Sequence, residues 1–275
     1  AVHADYALVP RNLLVKLPDS VSEEDGAFTT LGAVAMHGFR LTEARLDETV
    51  LVIGLGLLGL LAVQIAKAAG CVTLGVDLSE SRAALAREFG VSACTNDEVH
   101  VKAAELVGSR GFDHVLICAG AKGSELIELA GELCRDRGTV VSVGAVGLNI
   151  PRKIYYEKEI RFMVSRSYGP GRYDAAYEEK GQDYPIGYVR WTEGRNMESF
   201  VALLSRGAVR TAPLISHRIP IADGAKAYDL IKGKTGEPYL GVLLTYGGDT
   251  SEALHPAPIQ LAPTIKAASV SVGVI

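Results

Sequence analysis

Residues 49–70 read TVLVIGLGLLGLLAVQIAKAAG, and how this stretch is read decides the fold. It is apolar for nearly the length of a membrane span. Gly54, Gly56 and Gly59 interrupt it, however, and its two halves differ in kind. The first half is β-branched, which suits a strand; the second is rich in Ala and Leu, which suits a helix. A buried strand, a tight turn and a buried helix account for it better than one spanning helix. The next seven residues, CVTLGVD, form a second apolar run that ends on Asp77.

This order of strand, GLGLLG turn, helix, strand and acid carries chemistry. Gly54 permits the tight turn. Gly56 lacks a Cβ, so the backbone can approach a pyrophosphate. Gly59 lets the helix pack closely on the strand. Free N–H groups of the helix start, at Leu57 and Leu58, then face the phosphates with the helix dipole behind them. Asp77 is placed to accept hydrogen bonds from an adenosine ribose diol and would repel a 2′-phosphate, so NAD is expected in preference to NADP. Arg82 is expected to pack on the adenine or reach a phosphate. The competing reading, in which the glycines serve packing and Asp77 only caps the next helix, leaves the coincidence of all five features unexplained.

Outward from this unit, strand and helix keep alternating. Helices are expected at 57–69, at 79–89 with Ser79 as N-cap, around 99–107 and at 124–135. Strands are expected near 93–95 and at FDHVLICAG, GTVVSVGAV and IRFMVS. Apolar strands separated by helices predict a parallel sheet covered on both faces, the doubly wound α/β class. Ala119 and Gly120, which close FDHVLICAG, and Gly144, within GTVVSVGAV, are further candidate cofactor contacts. Residues 4–22 read as strand and loop; 212–221, 223–232 and 241–246 read as strand, helix and strand. Residues 247–268, with Pro256, Pro258 and Pro263, read as a linker, and SVSVGVI at 269–275 as a strand.

The 275 residues are 48% hydrophobic and 22% charged, with net charge -4, the composition of a soluble globular protein. No basic stripe is present, so nucleic acid is not the expected partner. Cys71, Cys94, Cys118 and Cys134 form no CxxC pair and fall in apolar segments, so buried reduced thiols and a cytoplasmic location are expected. The six histidines form no spaced cluster, and no metal is assigned.

Beyond these local readings, the sequence resembles the medium-chain dehydrogenase/reductase family, the alcohol dehydrogenase-like enzymes. Residues 5–40 resemble the stretch leading into that family's cofactor domain, 47–70 its nucleotide-binding turn, and 214–246 its closing segment. The resemblance implies a Rossmann domain with remnants of a GroES-like catalytic domain. The expected partition is 1–28 for the tail of the GroES-like segment, 29–167 for the Rossmann domain and 168–246 for an insertion and the return. The linker at 247–268 and the first strand of a second Rossmann domain at 269–275 follow. The family's zinc-dependent members carry a Cys or Glu ligand where this sequence has Thr29 and Thr30, which implies zinc independence. The insertion resembles that of a bacterial subgroup in which a zinc-less half is fused to a glucose–fructose oxidoreductase-like half, often associated with surface polysaccharide metabolism. The implied function is an NAD(H)-dependent oxidoreductase portion acting on a carbonyl or hydroxyl carbon, with a sugar or sugar nucleotide as the expected class. The implied assembly is a homo-oligomer, and the chain by itself is expected to bind NADH without turnover. A non-catalytic dinucleotide-binding or scaffold module is the alternative.

Residues 166–196 hold five of the eleven tyrosines, the only tryptophan and Arg166, Arg172, Arg190 and Arg195. Aromatic faces and guanidinium forks suit a sugar ring bearing phosphate or carboxylate. Tyr168 and Tyr184 are the candidate proton donors, and Arg166 is a candidate cofactor contact. Arg166, Tyr168, Arg172 and Tyr173 are expected to line the cofactor-proximal cleft. The same composition suits a lid or an interface loop equally well.

Overall fold

The computed structural model describes residues 3–4 and 7–247. The expected strand at 269–275 and nearly all of the expected linker lie outside the described residues. After a short 3-10 turn, Arg11–Leu13, come α1 (Glu23–Gly26) and α2 (Thr29–Thr42). The sheet-forming part runs β1 (Thr49–Ile53), α3 (Leu57–Ala68), β2 (Val72–Asp77), α4 (Glu80–Glu88), β3 (Ser92–Thr95) and α5 (Val99–Val107). It continues with β4 (Phe112–Ile117), α6 (Glu125–Leu133), β5 (Cys134–Ser142), α7 (Arg152–Glu157) and β6 (Arg161–Val164). Then follow α8 (Ala175–Glu178), α9 (Glu193–Ser205), β7 (Ile215–Pro220), α10 (Gly224–Ile231) and β8 (Gly241–Thr245).

The strands pair in the order β3-β2-β1-β4-β5-β6, all parallel, as the alternation of apolar strand and helix requires. The order reverses between β1 and β4. That switch point opens a crevice at the carboxyl ends of the strands, where ligands of such sheets bind. One face is covered by α2, α3, α4 and α9, through side chains such as Met36, Leu61, Ala83 and Phe200. The other is covered by α5, α6 and α7, through Val99, Ile127 and Tyr155. β7 and β8 form a separate parallel pair beside α10.

Several expectations are corrected. No strand forms among the described residues of 4–22; Pro10 and Pro18 cannot donate to a ladder, and the segment is tied down instead by Asn12, whose Nδ2 donates to the Tyr177 carbonyl at 3.0 Å. Ser79 occupies the N-cap position of α4 but caps nothing, because its hydroxyl pairs with that of Ser81 at 2.8 Å. α6 ends at Leu133, and β5 starts there rather than at Gly138.

The largest omission is α9, where the sequence reading placed no element. Its Thr192 side chain accepts from the Arg195 N–H, and Phe200 packs so closely on α2 that a Cβ at Gly32 would lie 2.3 Å from its ring. Met197, Phe200, Val201 and Leu204 do carry helical spacing, but the aromatic run before them drew the whole stretch into a loop.

No helix among the described residues is long and apolar enough to cross a membrane. The glycine turn explains why: it splits the one apolar run into β1 and α3. All four cysteines are free. Burial pushes the thiols of Cys71 and Cys94 up to about 11 and those of Cys118 and Cys134 up to about 12, so they stay protonated and inert at neutral pH.

Candidate functional site

β1 delivers the chain to Gly54, which takes φ +92° and donates its N–H to the Val76 carbonyl at 2.7 Å. A side chain is unwelcome in that conformation, and a Cβ there would stand 2.6 Å from the Ala119 backbone nitrogen. At Gly59 a Cβ would lie 1.8 Å from the Gly54 carbonyl oxygen, so the start of α3 rests directly on the turn. Gly56 differs: nothing lies within 4 Å of where its Cβ would be. The N-terminus of α3, which no side chain caps, therefore faces open space. Leu57 and Leu58 are half-buried in this first turn.

Asp77 ends β2 beside that opening. Its Oδ2 accepts from the Leu55 N–H at 2.6 Å and its Oδ1 from the Ser79 N–H at 2.9 Å, while the Arg82 guanidinium stands 3.7 Å away. Two backbone donors fix the carboxylate at the tip of the strand. A cavity of about 520 Å³ opens against it, lined by Asp77, Ser79, Arg82, Pro238, Tyr239 and Leu240 among others. A neighbouring cavity of about 330 Å³ is lined by Gly56, Leu57, Arg82 and Glu237. Arg82 thus touches both spaces. The far wall, residues 237–240, was not found from the sequence; a Pro-Tyr pair ahead of an apolar strand was its only signal.

Farther along the same sheet edge, the Ala119 N–H donates to the Ile53 carbonyl at 3.1 Å and the Gly144 N–H to the Ile117 carbonyl at 2.9 Å. A Cβ at Gly144 would lie 2.0 Å from the Ala119 oxygen, and one at Gly120 3.6 Å from the Ala145 oxygen. The fold therefore brings Gly54, Gly56, Gly59, Asp77, Arg82, Ala119, Gly120 and Gly144 to one edge. β6 joins this edge where the Ser165 N–H reaches the Ser142 carbonyl at 2.8 Å.

Beyond β6 the chain enters a twisted rim, with positive φ at Ser167, Gly169, Gly171 and Tyr173. The two candidate tyrosines part company here. Tyr168 is half-buried, its carbonyl accepts from Asn196 Nδ2 at 2.8 Å, and burial and the nearby Glu193 hold its phenol above the ordinary range. Tyr184 stacks on Tyr177 with ring centroids 5.5 Å apart, and its hydroxyl donates to the Asp174 carboxylate. That hydrogen bond engages the proton a substrate would need and builds Tyr184 into the packing of the insertion. Arg172 is likewise engaged by Glu178, and Tyr173 is exposed, so neither is held against the sheet edge as expected.

Three further features surround Tyr168. Trp191 has the Arg40 guanidinium 3.2 Å and the Arg190 guanidinium 3.7 Å from its ring centroid. His37 is buried on α2, and burial with Arg166 and Arg40 nearby lowers its pKa to about 4, which leaves it neutral. Glu193 is fully buried, neither carboxylate oxygen has a hydrogen-bond partner, and burial pushes its pKa up to about 7.

Residues 58–180 match the family described as Zinc-binding dehydrogenase. Sorbitol dehydrogenase 1 of Saccharomyces cerevisiae is 30% identical over 243 residues, covering 84% of this chain and 61% of the relative. D-xylulose reductase of the same yeast is 28% identical over 237 residues, covering 82% of this chain and 58% of the relative. The chain thus spans about three fifths of the length of these curated relatives. Among solved structures, galactitol-1-phosphate dehydrogenase from Escherichia coli superimposes with a TM-score of 0.68 at 26% identity, covering 88% of this chain and 66% of that one.

A zinc ion does not fit the residues present. The Thr29 hydroxyl donates to the Gly26 carbonyl at 2.7 Å, Thr30 is exposed, and neither hydroxyl rivals thiolate, imidazole or carboxylate as a ligand. Among the described residues no three His, Cys, Asp or Glu side chains converge for a metal. A dinucleotide does fit: the open space over Gly56, the uncapped helix start and the fixed Asp77 each match one part of it.

Proposed function

We propose, for a chain whose residues 58–180 match the zinc-binding dehydrogenase family, that it is the cofactor-binding portion of an NAD(H)-dependent oxidoreductase acting on a polyol or sugar. The observation that carries the proposal is Asp77, fixed by two backbone donors at the mouth of a cavity of nucleoside size. Its carboxylate would accept from the ribose diol, and Arg82 and Tyr239 would flank the adenine. The N–H groups of Leu57 and Leu58 would hold the pyrophosphate over Gly56. The backbone at Ala119, Gly120 and Gly144 would line the nicotinamide half. Bound there, the cofactor supplies the hydride or takes it up.

Tyr168 would hold a proton at its phenol oxygen as the substrate carbonyl becomes a hydroxyl, or take one in the reverse sense. No step passes through zinc, because Thr29 and Thr30 offer no ligand; elemental analysis of protein purified without chelator should find well under one zinc per chain. Calorimetry is the central test. NADH should bind with one site per chain and clearly more tightly than NADPH. Equal affinities would remove the role given to Asp77, and an intact fold that binds neither would return the chain to a non-catalytic module.

A further inference from the structure

The arginines of the rim divide into two kinds. Arg172 is paired with Glu178, and Arg195 with Asp183. Arg40, Arg166 and Arg190 take part in no ion pair among the described residues, although the chain as a whole is net negative. Arg40 spends two donors on neutral partners, Asn196 Oδ1 at 3.0 Å and Ser199 Oγ at 2.9 Å. Arg166 and Arg190 are exposed, and their guanidinium groups donate to nothing among the described residues.

These three cations gather in one place. At 3.2 and 3.7 Å from one centroid, two guanidinium planes cannot share a face, so Arg40 and Arg190 sandwich the Trp191 ring. Arg40 and Arg166 both act on His37, and Arg190 together with burial lowers the Arg40 pKa to about 10. Glu193, a buried acid within electrostatic reach of Arg166, makes no contact of hydrogen-bond length. The place adjoins the nicotinamide half of the site. Arg166 follows β6 by two residues, and α2 packs its His37–Arg40 turn against the end of β5, where a Cβ at Gly38 would be 2.4 Å from Val143 Cγ2. Like charges held together without counter-ions, with the forks of Arg166 and Arg190 unspent and that of Arg40 held by neutral partners only, are an arrangement that takes a planar or tetrahedral oxyanion.

We propose that Arg40, Arg166 and Arg190, gathered about Trp191 and His37, form an anion subsite, and that the substrate is a polyol or sugar bearing a phosphate or carboxylate. The substrate half of this proposal rests on the function proposed above; the subsite itself does not. Arg40 enters from α2, far from the insertion in sequence, which is why composition alone could not assemble the subsite.

Trp191 is the only tryptophan, so its fluorescence reports directly from between two of the three arginines. The full chain, saturated with NAD and held at constant ionic strength with NaCl, is titrated with sorbitol 6-phosphate, gluconate, inorganic phosphate and sorbitol. Saturable change with the phosphate ester or with gluconate, and none with sorbitol, is expected; which of the two anions binds more tightly identifies the charged group. Arg190→Gln, an exposed position, should weaken that anion tenfold or more with NAD affinity unchanged. No saturable change with any anion, or an equal response to sorbitol or NaCl, in protein that still binds NADH would overturn the subsite. Anion binding in protein that fails to bind NADH would leave the subsite standing and sink the proposed function.

Discussion

The nucleotide turn at residues 53–77 and the rim at residues 166–196 sit along the same sheet edge, yet they are specified in opposite ways. In the turn, each function belongs to backbone: the φ of Gly54, the open space above Gly56, the N–H groups that fix Asp77. In the rim, the arrangement belongs to side chains held by contacts between segments: Arg40 on Trp191 and Asn196 on Tyr168. A backbone device tolerates almost no substitution at its glycines. A side-chain device is divided among many contacts, each of modest worth.

That contrast can be broken at its strongest point first. Gly59→Ala puts a methyl group 1.8 Å from the Gly54 oxygen, an overlap only backbone movement relieves. It should cost about 3 kcal/mol of stability and abolish measurable NADH binding; thermal denaturation and calorimetry check both. A tolerated alanine there would mean that the turn is looser than a backbone device can be.

Asp77→Ala comes next. It removes a carboxylate that accepts two backbone N–H groups and to which the proposed function gives the ribose diol. NADH binding should weaken by about 1.5–3 kcal/mol, and the preference over NADPH should shrink, as read by paired titrations.

Glu193 tests the rim. Its carboxyl keeps its proton up to about pH 7 when folded, against a reference near 4.5. Between those values the folded state binds more protons than the unfolded one, so stability falls as pH rises from about 4.5 to about 7. Glu193→Gln removes this loss and should raise stability at pH 8 by about 1–2 kcal/mol, with little change at pH 4. Denaturant unfolding at both pH values reads it, and a destabilised variant at pH 8 would show that the carboxylate has a partner when ionised.

The smallest effect is expected at Tyr184. Tyr184→Phe removes one part-buried hydrogen bond to Asp174 and should lower Tm by about 1–2 °C while NADH affinity stays as it was. A loss of NADH binding would place Tyr184 at the cofactor after all.

What could be read from the sequence follows the same division. β1, α3, β2 and the parallel, doubly wound class of the sheet were legible because strand and helix periods are local, and because GLGLLG has few other uses between a strand and a helix. Ser79 misled because N-cap chemistry depends on a hydroxyl's rotamer, which here turns to Ser81. α9 was overlooked although its apolar spacing was present, since the Tyr- and Trp-rich run before it carries loop composition. Residues 237–240 could not be joined to Asp77 from sequence, because more than 150 positions separate them and only the return of the chain to β8 brings them together.

The amino-acid order alone determined a doubly wound sheet with a glycine turn after its first strand and an acid at its second, because those features need only neighbours within a few residues of one another. Tertiary structure alone decided, among the described residues, which tyrosine keeps a free hydroxyl, which arginines lack an ion pair and which acid has no hydrogen-bond partner. Tyr168 and Tyr184, or Arg166 and Arg172, are alike in composition and close in sequence. They differ only in whether Asp174 or Glu178 stands within hydrogen-bond reach, and that is settled when the insertion closes on α2 and α9.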